Sequence, residues 1–214
     1  MRCREALQVL NLEGWRRAAE VLKEANESLN TVQKESKKTD SFKLTKSSYL
    51  FVEGEIYYRA GNWPKALKLL NRSLKLMKDP LKSHTSTSRC LNAIGNCHNK
   101  LGRPEEAIKF YTRAYEMRQE LSGSTEHFDM PLFKSQIGTV YEGQKEFRKA
   151  IEYYKEALDL AKKLKIKGML YIALFNKNIA NSYCWLREYD DAFEFAKEGY
   201  EIRKDILGNH PHTA

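Results

Sequence analysis

Asn92, Asn96 and Asn99 stand at i, i+4 and i+7, so on a helix their carboxamides share one face. A carboxamide offers both a donor and an acceptor and can hold the backbone of an extended peptide whatever its sequence. Solvation of a polar face accounts for the same run equally well. Other chemistry finds little support. No residues have the spacing of a nucleophile with its base, or of two catalytic carboxylates. The five histidines are scattered. His210 and His212 flank Pro211 without a third donor, which leaves a metal site incomplete. Gly54, Gly95 and Gly138 are far apart rather than grouped into a phosphate-cradling loop. The sequence therefore predicts no catalytic residue, no metal site and no cofactor, and the chain is expected not to be an enzyme.

The elements that must position such residues repeat. In Gly95–Ala114, GNCHNKLGRPEEAIKFYTRA, a small residue on one helix is followed by a turn at Gly102 and Pro104, then by Ala107, Tyr111 and Ala114 at helical spacing. The same grammar runs through Gly54, Tyr57, Gly61, Trp63, Ala66 and Ser73. It returns in Gly138, Tyr141, Phe147, Ala150, Tyr154 and Ala157, and again in Ala180, Tyr183, Tyr189, Ala192 and Gly199. Ala66, Ala107, Ala150 and Ala192 recur at intervals of 41, 43 and 42 residues, a period that marks a solenoid. His98 stands where the other segments carry Tyr57, Tyr141 and Tyr183, so it reads as an interior ring. Trp15, Trp63, Tyr111, Tyr154 and Tyr189 also read as core aromatics.

The predicted helix pairs are 43–60 with 63–78, 86–101 with 104–121, 130–144 with 147–164, and 168–186 with 189–206. Pro64 and Pro104 fall in first turns, where proline is tolerated. Gly54, Gly95, Gly138 and Ala180 should be buried against Ala66, Ala107, Ala150 and Ala192. Asp129 is placed to cap the helix opened by Met130 and Pro131.

These residues resemble the tetratricopeptide repeat family over roughly residues 43–206, and the long period resembles that of the repeats in kinesin light chains. The ending GYEIRKDILGNHPHTA strengthens this likeness. The resemblance implies an all-α fold, an α-solenoid of antiparallel helix pairs wound as a right-handed superhelix. Four units are expected, at 43–80, 84–121, 129–165 and 167–206. Residues 1–42 form a divergent or partial leading repeat and linker, in which Trp15 and Ala18 echo Trp63 and Ala66. Residues 207–214 look like the start of a further repeat, so the chain is expected to be a fragment of a longer protein whose open end could drive self-association.

In this family the first helix of each pair lines a concave groove. The resemblance thereby implies a partner-binding surface of Phe51, Glu55, Tyr58, Arg59, Arg89, Asn92, Asn96, Asn99, Lys100, Ser135, Thr139, Lys177, Asn181 and Trp185. Lys177 and Asn181 resemble part of the clamp with which chaperone-binding relatives hold a terminal carboxylate, but the remaining basic positions are not matched.

Composition narrows the partners. The net charge of +9 favours an acidic, extended protein segment, although the lysines are spread along many helices rather than gathered in one block. A nucleic-acid partner would require Lys and Arg on one continuous face. A third reading is regulatory, the repeats binding and restraining another part of a longer signalling protein. No apolar run approaches a membrane span and the start lacks a signal-peptide core. The four cysteines show no disulfide framework, which points to a reducing compartment, the cytoplasm. Cys90 and Cys97 lie two turns apart on one helix, about 10 Å along its axis, too far for a disulfide.

Overall fold

The computed structural model describes residues 40–77, 85–122, 127–164 and 169–207. The leading repeat with Trp15, and the tail with His210 and His212, lie outside the described residues. Among the described residues there are eight helices and no strand. They are α1 (Asp40–Arg59), α2 (Trp63–Met77), α3 (Thr85–Lys100), α4 (Pro104–Ser122), α5 (Met130–Gly143), α6 (Phe147–Lys163), α7 (Met169–Leu186) and α8 (Tyr189–Leu207). Each lies within a few residues of the helix the periodicity predicts. The chain divides into two compact units, Met1–Phe110 and Tyr111–Ala214.

Every pair is joined by the same turn. The first helix ends in a left-handed residue: Gly61 (φ 79°), Gly102 (φ 69°), Lys145 (φ 62°) or Arg187 (φ 62°). The next amide then donates five residues back, as Asn62 N to Tyr57 O and Glu146 N to Tyr141 O (both 2.9 Å), and Arg103 N to His98 O and Glu188 N to Tyr183 O (both 3.0 Å). This is a Schellman motif, which satisfies carbonyls the ending helix would otherwise leave unpaired. Ala66, Ala107, Ala150 and Ala192 then donate to the carbonyls of Asn62, Arg103, Glu146 and Glu188, starting each second helix at the same point. The small residue on the first helix lies 12 positions before that alanine in all four pairs.

That fixed spacing sets the helix crossings. An added Cβ at Gly138 would come within 2.8 Å of the Tyr154 ring and 3.2 Å of the Ala150 carbonyl. At Gly54 it would come within 2.8 Å of Leu70 and 3.4 Å of the Ala66 carbonyl. Gly95, Ala180 and all four alanines are buried, as the pattern requires.

In the first unit α1 packs on α2 and α2 on α3, and the buried Ser47 and Ser73 hydroxyls bridge α1 and α2 at 3.0 Å. In the second unit α5 packs on α6, α6 on α7 and α7 on α8. Its core joins Ile151, Tyr154 and Leu158 of α6 to Phe175, Ile179 and Tyr183 of α7.

Two expectations are corrected. Asp129 precedes α5 but makes no capping bond with its side chain. Its carboxylate instead accepts from Arg118 Nη2 at 2.7 Å, and Arg118 is only 2% exposed. Tyr189 is 64% exposed rather than buried, because none of the described helices packs over that edge of α8. Tyr111 and Tyr154 are fully buried as expected, and Trp63 is partly buried. His98 is an interior ring stacked on Phe110, with centroids 5.3 Å apart and planes 9° apart.

Candidate functional site

The first helices carry the predicted partner-binding residues, and each unit presents its own face. In the first unit Phe51, Glu55 and Tyr58 lie on α1 and are partly buried, and Arg59 at its end is exposed. The Arg89 guanidinium on α3 lies 5.6 Å from the centre of the Phe51 ring, so the cation is seated on an aromatic face. Asn96 and Asn99 are partly buried and Lys100 is exposed. Asn92 is also partly buried, and its Oδ1 is enclosed without a hydrogen-bond donor.

Burial pushes the Glu55 carboxyl above its ordinary value of 4.5, while Arg59 and Arg89 pull it partway back. A carboxyl raised in the fold favours the protonated form there. Its stabilising contribution is therefore complete below pH 4.5 and lost as pH rises through the folded value. Glu55→Gln is accordingly expected to melt higher than the parent at pH 7 and to show no advantage near roughly pH 3. Thermal melts at the two pH values check this, and a lower melting point at pH 7 would mean that the two arginines outweigh burial.

In the second unit Thr139 is exposed and its Oγ1 donates to the Ser135 carbonyl at 3.1 Å. The Tyr154 hydroxyl donates to Glu142 Oε2 at 2.7 Å, while burial pushes its pKa upward. Ser135 itself is buried, which corrects its assignment to an exposed face. α5 has neighbours on three sides, Tyr115 of α4 through the Lys134 ammonium 4.8 Å from its ring, then α6 and α7, so its open strip is narrower than periodicity alone implies.

α7 is the opposite case. Lys177, Asn181 and Trp185 are exposed as predicted, and Leu170 and Leu174 continue the same face at i and i+4. The row is about 22 Å long by helical rise. It runs from two leucines through a cation and a carboxamide to an indole that is 68% exposed. Leu170 was legible as a continuation of the Leu174–Lys177–Asn181 spacing but lies one turn beyond the residues the repeat pattern selects.

The rest of the chemistry is quiet. Among the described residues no group of three or more His, Cys, Asp and Glu could hold a metal. Cys90, Cys97 and Cys184 are unpaired, and burial pushes the Cys90 and Cys97 thiols up to about 12, far from thiolate reactivity. No helix among the described residues is long and apolar enough to cross a membrane.

Antiparallel helix pairs with small residues at their crossings, joined by one repeated turn and exposing uncovered first-helix faces, define a helical-repeat interaction scaffold. The chain is a tetratricopeptide repeat protein: profiles of that family match residues 49–120, 134–164 and 178–212. Among curated proteins it is similar to a human clustered mitochondria protein homolog, 22% identical over 214 residues that cover 80% of this chain. The chain spans only 16% of that relative's length.

Solved structures share the fold at low identity. BtubC (BKLC) from P. vanneervenii has a TM-score of 0.79 and 19% identity, over 96% of this chain and 80% of that one. Kinesin light chain TPR-like repeats from Podosopora anserina have a TM-score of 0.71 and 14% identity, over 96% and 94%. A Rap protein complexed with Competence and Sporulation Factor has a TM-score of 0.79 and 16% identity, over 97% and 54%.

Proposed function

We propose that the first-helix faces bind an extended, acidic segment of a partner protein, which makes the chain an adaptor without catalytic activity of its own. The observation that carries this reading is the uncovered row on α7. Leu170 and Leu174 offer apolar contact at one end and Trp185 at the other, with Lys177 and Asn181 between them for a carboxylate and a backbone amide. The Rap complex supports it by analogy of fold alone. Buried, unpaired Cys90 and Cys97 agree with a reducing cytoplasmic setting.

Ordering a linear segment offsets part of its contact energy, so a dissociation constant on the order of micromolar is expected. Reversing Lys100 and Lys177, one on each first-helix face, should weaken a labelled acidic peptide about tenfold and flatten its salt dependence. Reversing Lys68 and Lys109, exposed on second helices, should do little. Lys155 is unsuitable as a control, because its ammonium donates to the Tyr183 hydroxyl at 3.0 Å. Equal loss from both pairs would replace a defined face with diffuse charge.

Nucleic acid is a second reading, favoured by one observation. Lys65, Lys68, Arg72 and Lys75 share an exposed face of α2, a helix without an acidic residue. Retention on RNA that exceeds retention on an acidic peptide column at matched salt would move the assignment there.

A further inference from the structure

One carboxylate stands apart on the first-helix faces. Glu55 lies 11 positions before Ala66, and the other first helices carry Asn96, Thr139 and Asn181 at the same distance from their paired alanines. Only α1 therefore puts a charge at that place. On its own helix Phe51 lies one turn before Glu55 and Arg59 one turn after it. From α3, which touches α1, the Arg89 guanidinium reaches the Phe51 ring.

The Glu55 carboxyl faces α3. Burial first, and the Glu55 charge second, push the Cys97 thiol of α3 up to about 12. Burial raises the carboxyl itself, and Arg59 and Arg89 both pull it back, so it lies within the field of the two guanidiniums. Arg59, Arg89 and Lys100 are exposed, whereas Glu55 is partly buried.

The three cations mark the ends of this face. Arg89 and Lys100 are 11 residues apart, close to three full helical turns, so they share one side of α3 at a separation of about 16 Å. Arg59 holds on α1 the place that Lys100 holds on α3, seven positions before the paired alanine. An extended peptide rises about 3.3 Å per residue, so the span corresponds to about five residues.

We propose that the first unit selects a segment with two acidic side chains about five residues apart and no acid between them, Glu55 being the residue that rejects a central acid. This rule rests on the reading of the first-helix faces as peptide-binding surfaces. The outer acids meet Arg89 at one end and Arg59 with Lys100 at the other. A central carboxylate is brought against a partly buried carboxylate, where like charges are poorly screened. A central lysine meets an opposite charge there, so the same residue rejects one sequence and favours another.

The test uses the full chain and four labelled short peptides in a glycine-serine background, at about pH 8 so that their carboxyls are ionised. Two carry a pair of glutamates, five residues apart in the first and adjacent in the second. The third and fourth add to the first a glutamate or a lysine at a middle position. Each is titrated by fluorescence anisotropy against the parent and against Lys177→Glu, which removes the cation of the α7 row, so that selectivity left in that variant belongs to the first unit.

The first peptide should bind severalfold tighter than the second. The three-glutamate peptide should bind about tenfold weaker than the first despite its greater charge, and the lysine peptide at least as tightly as the first. In the Lys177→Glu chain, adding Glu55→Gln, or Glu55→Asn with the residue that α3 carries at that place, should make the three-glutamate peptide the tightest of the set. Arg89→Gln with Lys100→Gln should erase the preference for the wider spacing. Circular dichroism confirms that each variant is folded.

Affinities ranked by peptide charge, with three glutamates tightest and the lysine peptide weakest, would overturn the rule and leave the adaptor reading standing. So would binding that disappears in Lys177→Glu, or a Glu55→Gln chain that still rejects the three-glutamate peptide. No binding of any of the four peptides to the parent would overturn both.

Discussion

Gly138→Leu is expected to destabilise the protein by about 3 kcal/mol or more, lowering its melting temperature by roughly 6–12 °C for a chain of this size. The first added atom already falls 2.8 Å from the Tyr154 ring. That ring cannot swing aside, since Tyr154 is fully buried and its hydroxyl is held by Glu142. Leucine gains about 0.8 kcal/mol of helix propensity over glycine, too little to offset overpacking. Gly143→Ala serves as the control, because Gly143 is an exposed helical glycine with nothing within 4 Å of an added Cβ. It should be neutral or slightly stabilising. Thermal melts of the two variants separate steric exclusion from a general glycine effect, and a near-parental melt for Gly138→Leu would show that α5 and α6 can part at little cost.

Asp129→Asn is expected to cost about 3–5 kcal/mol, the penalty of breaking a buried ion pair by removing the charge of one partner. Arg118 is enclosed, and the Asp129 carboxylate 2.7 Å away is the anion that balances it. His127 offers no substitute. Its Nδ1 lies 3.9 Å from the same carboxylate, and burial and the Arg118 charge both push its pKa below the ordinary histidine value. Replacing both partners, Arg118→Met with Asp129→Leu, should recover most of the loss, since an apolar pair carries no desolvation penalty. Denaturant titration of the single and double variants measures the coupling. Additive losses would mean that the two charges are balanced by other groups.

The helices and their crossings were legible because their determinants are local. Apolar spacing places α1 to α8 within a few residues, and Gly54 and Gly138 announce close approach by lacking a side chain. Asp129 was misread for a complementary reason. Asp-Met-Pro is a good local capping signal, but the residue that claims the carboxylate is 11 positions earlier, where the pattern sees only one more exposed arginine. The exposure of Tyr189 was hidden likewise. Its place in the repeat matches Phe147, and whether such a ring is covered depends on the neighbouring helix, not on its own segment. The left-handed turn was visible as Gly61 and Gly102 but not as Lys145 and Arg187, which adopt the same conformation without glycine.

The candidate faces were read less completely than the fold. Spacing on a helix fixes which side chains share a side, and Lys177, Asn181 and Trp185 are all exposed along α7. It does not say how much of that side neighbouring helices take. α5 is hemmed in and hides Ser135, whereas α7 is open enough to add Leu170 to the row.

The repeated hydrogen-bonded turn also determines where the chain can tolerate a change of length. The 12-residue distance across each turn never varies, while the distance from one pair's alanine to the next pair's small residue runs through 29, 31 and 30 residues. One residue inserted between Tyr183 and Ala192 would rotate α8 by about 100° and carry Ala192 and Gly199 off the surface of α7. The same insertion between pairs only lengthens a connection whose ends need no shared hydrogen-bonded register. Insertions and deletions are therefore confined to the stretches between hairpins, and the hairpin, turn included, is the smallest piece of this chain that can be copied, removed or grafted whole.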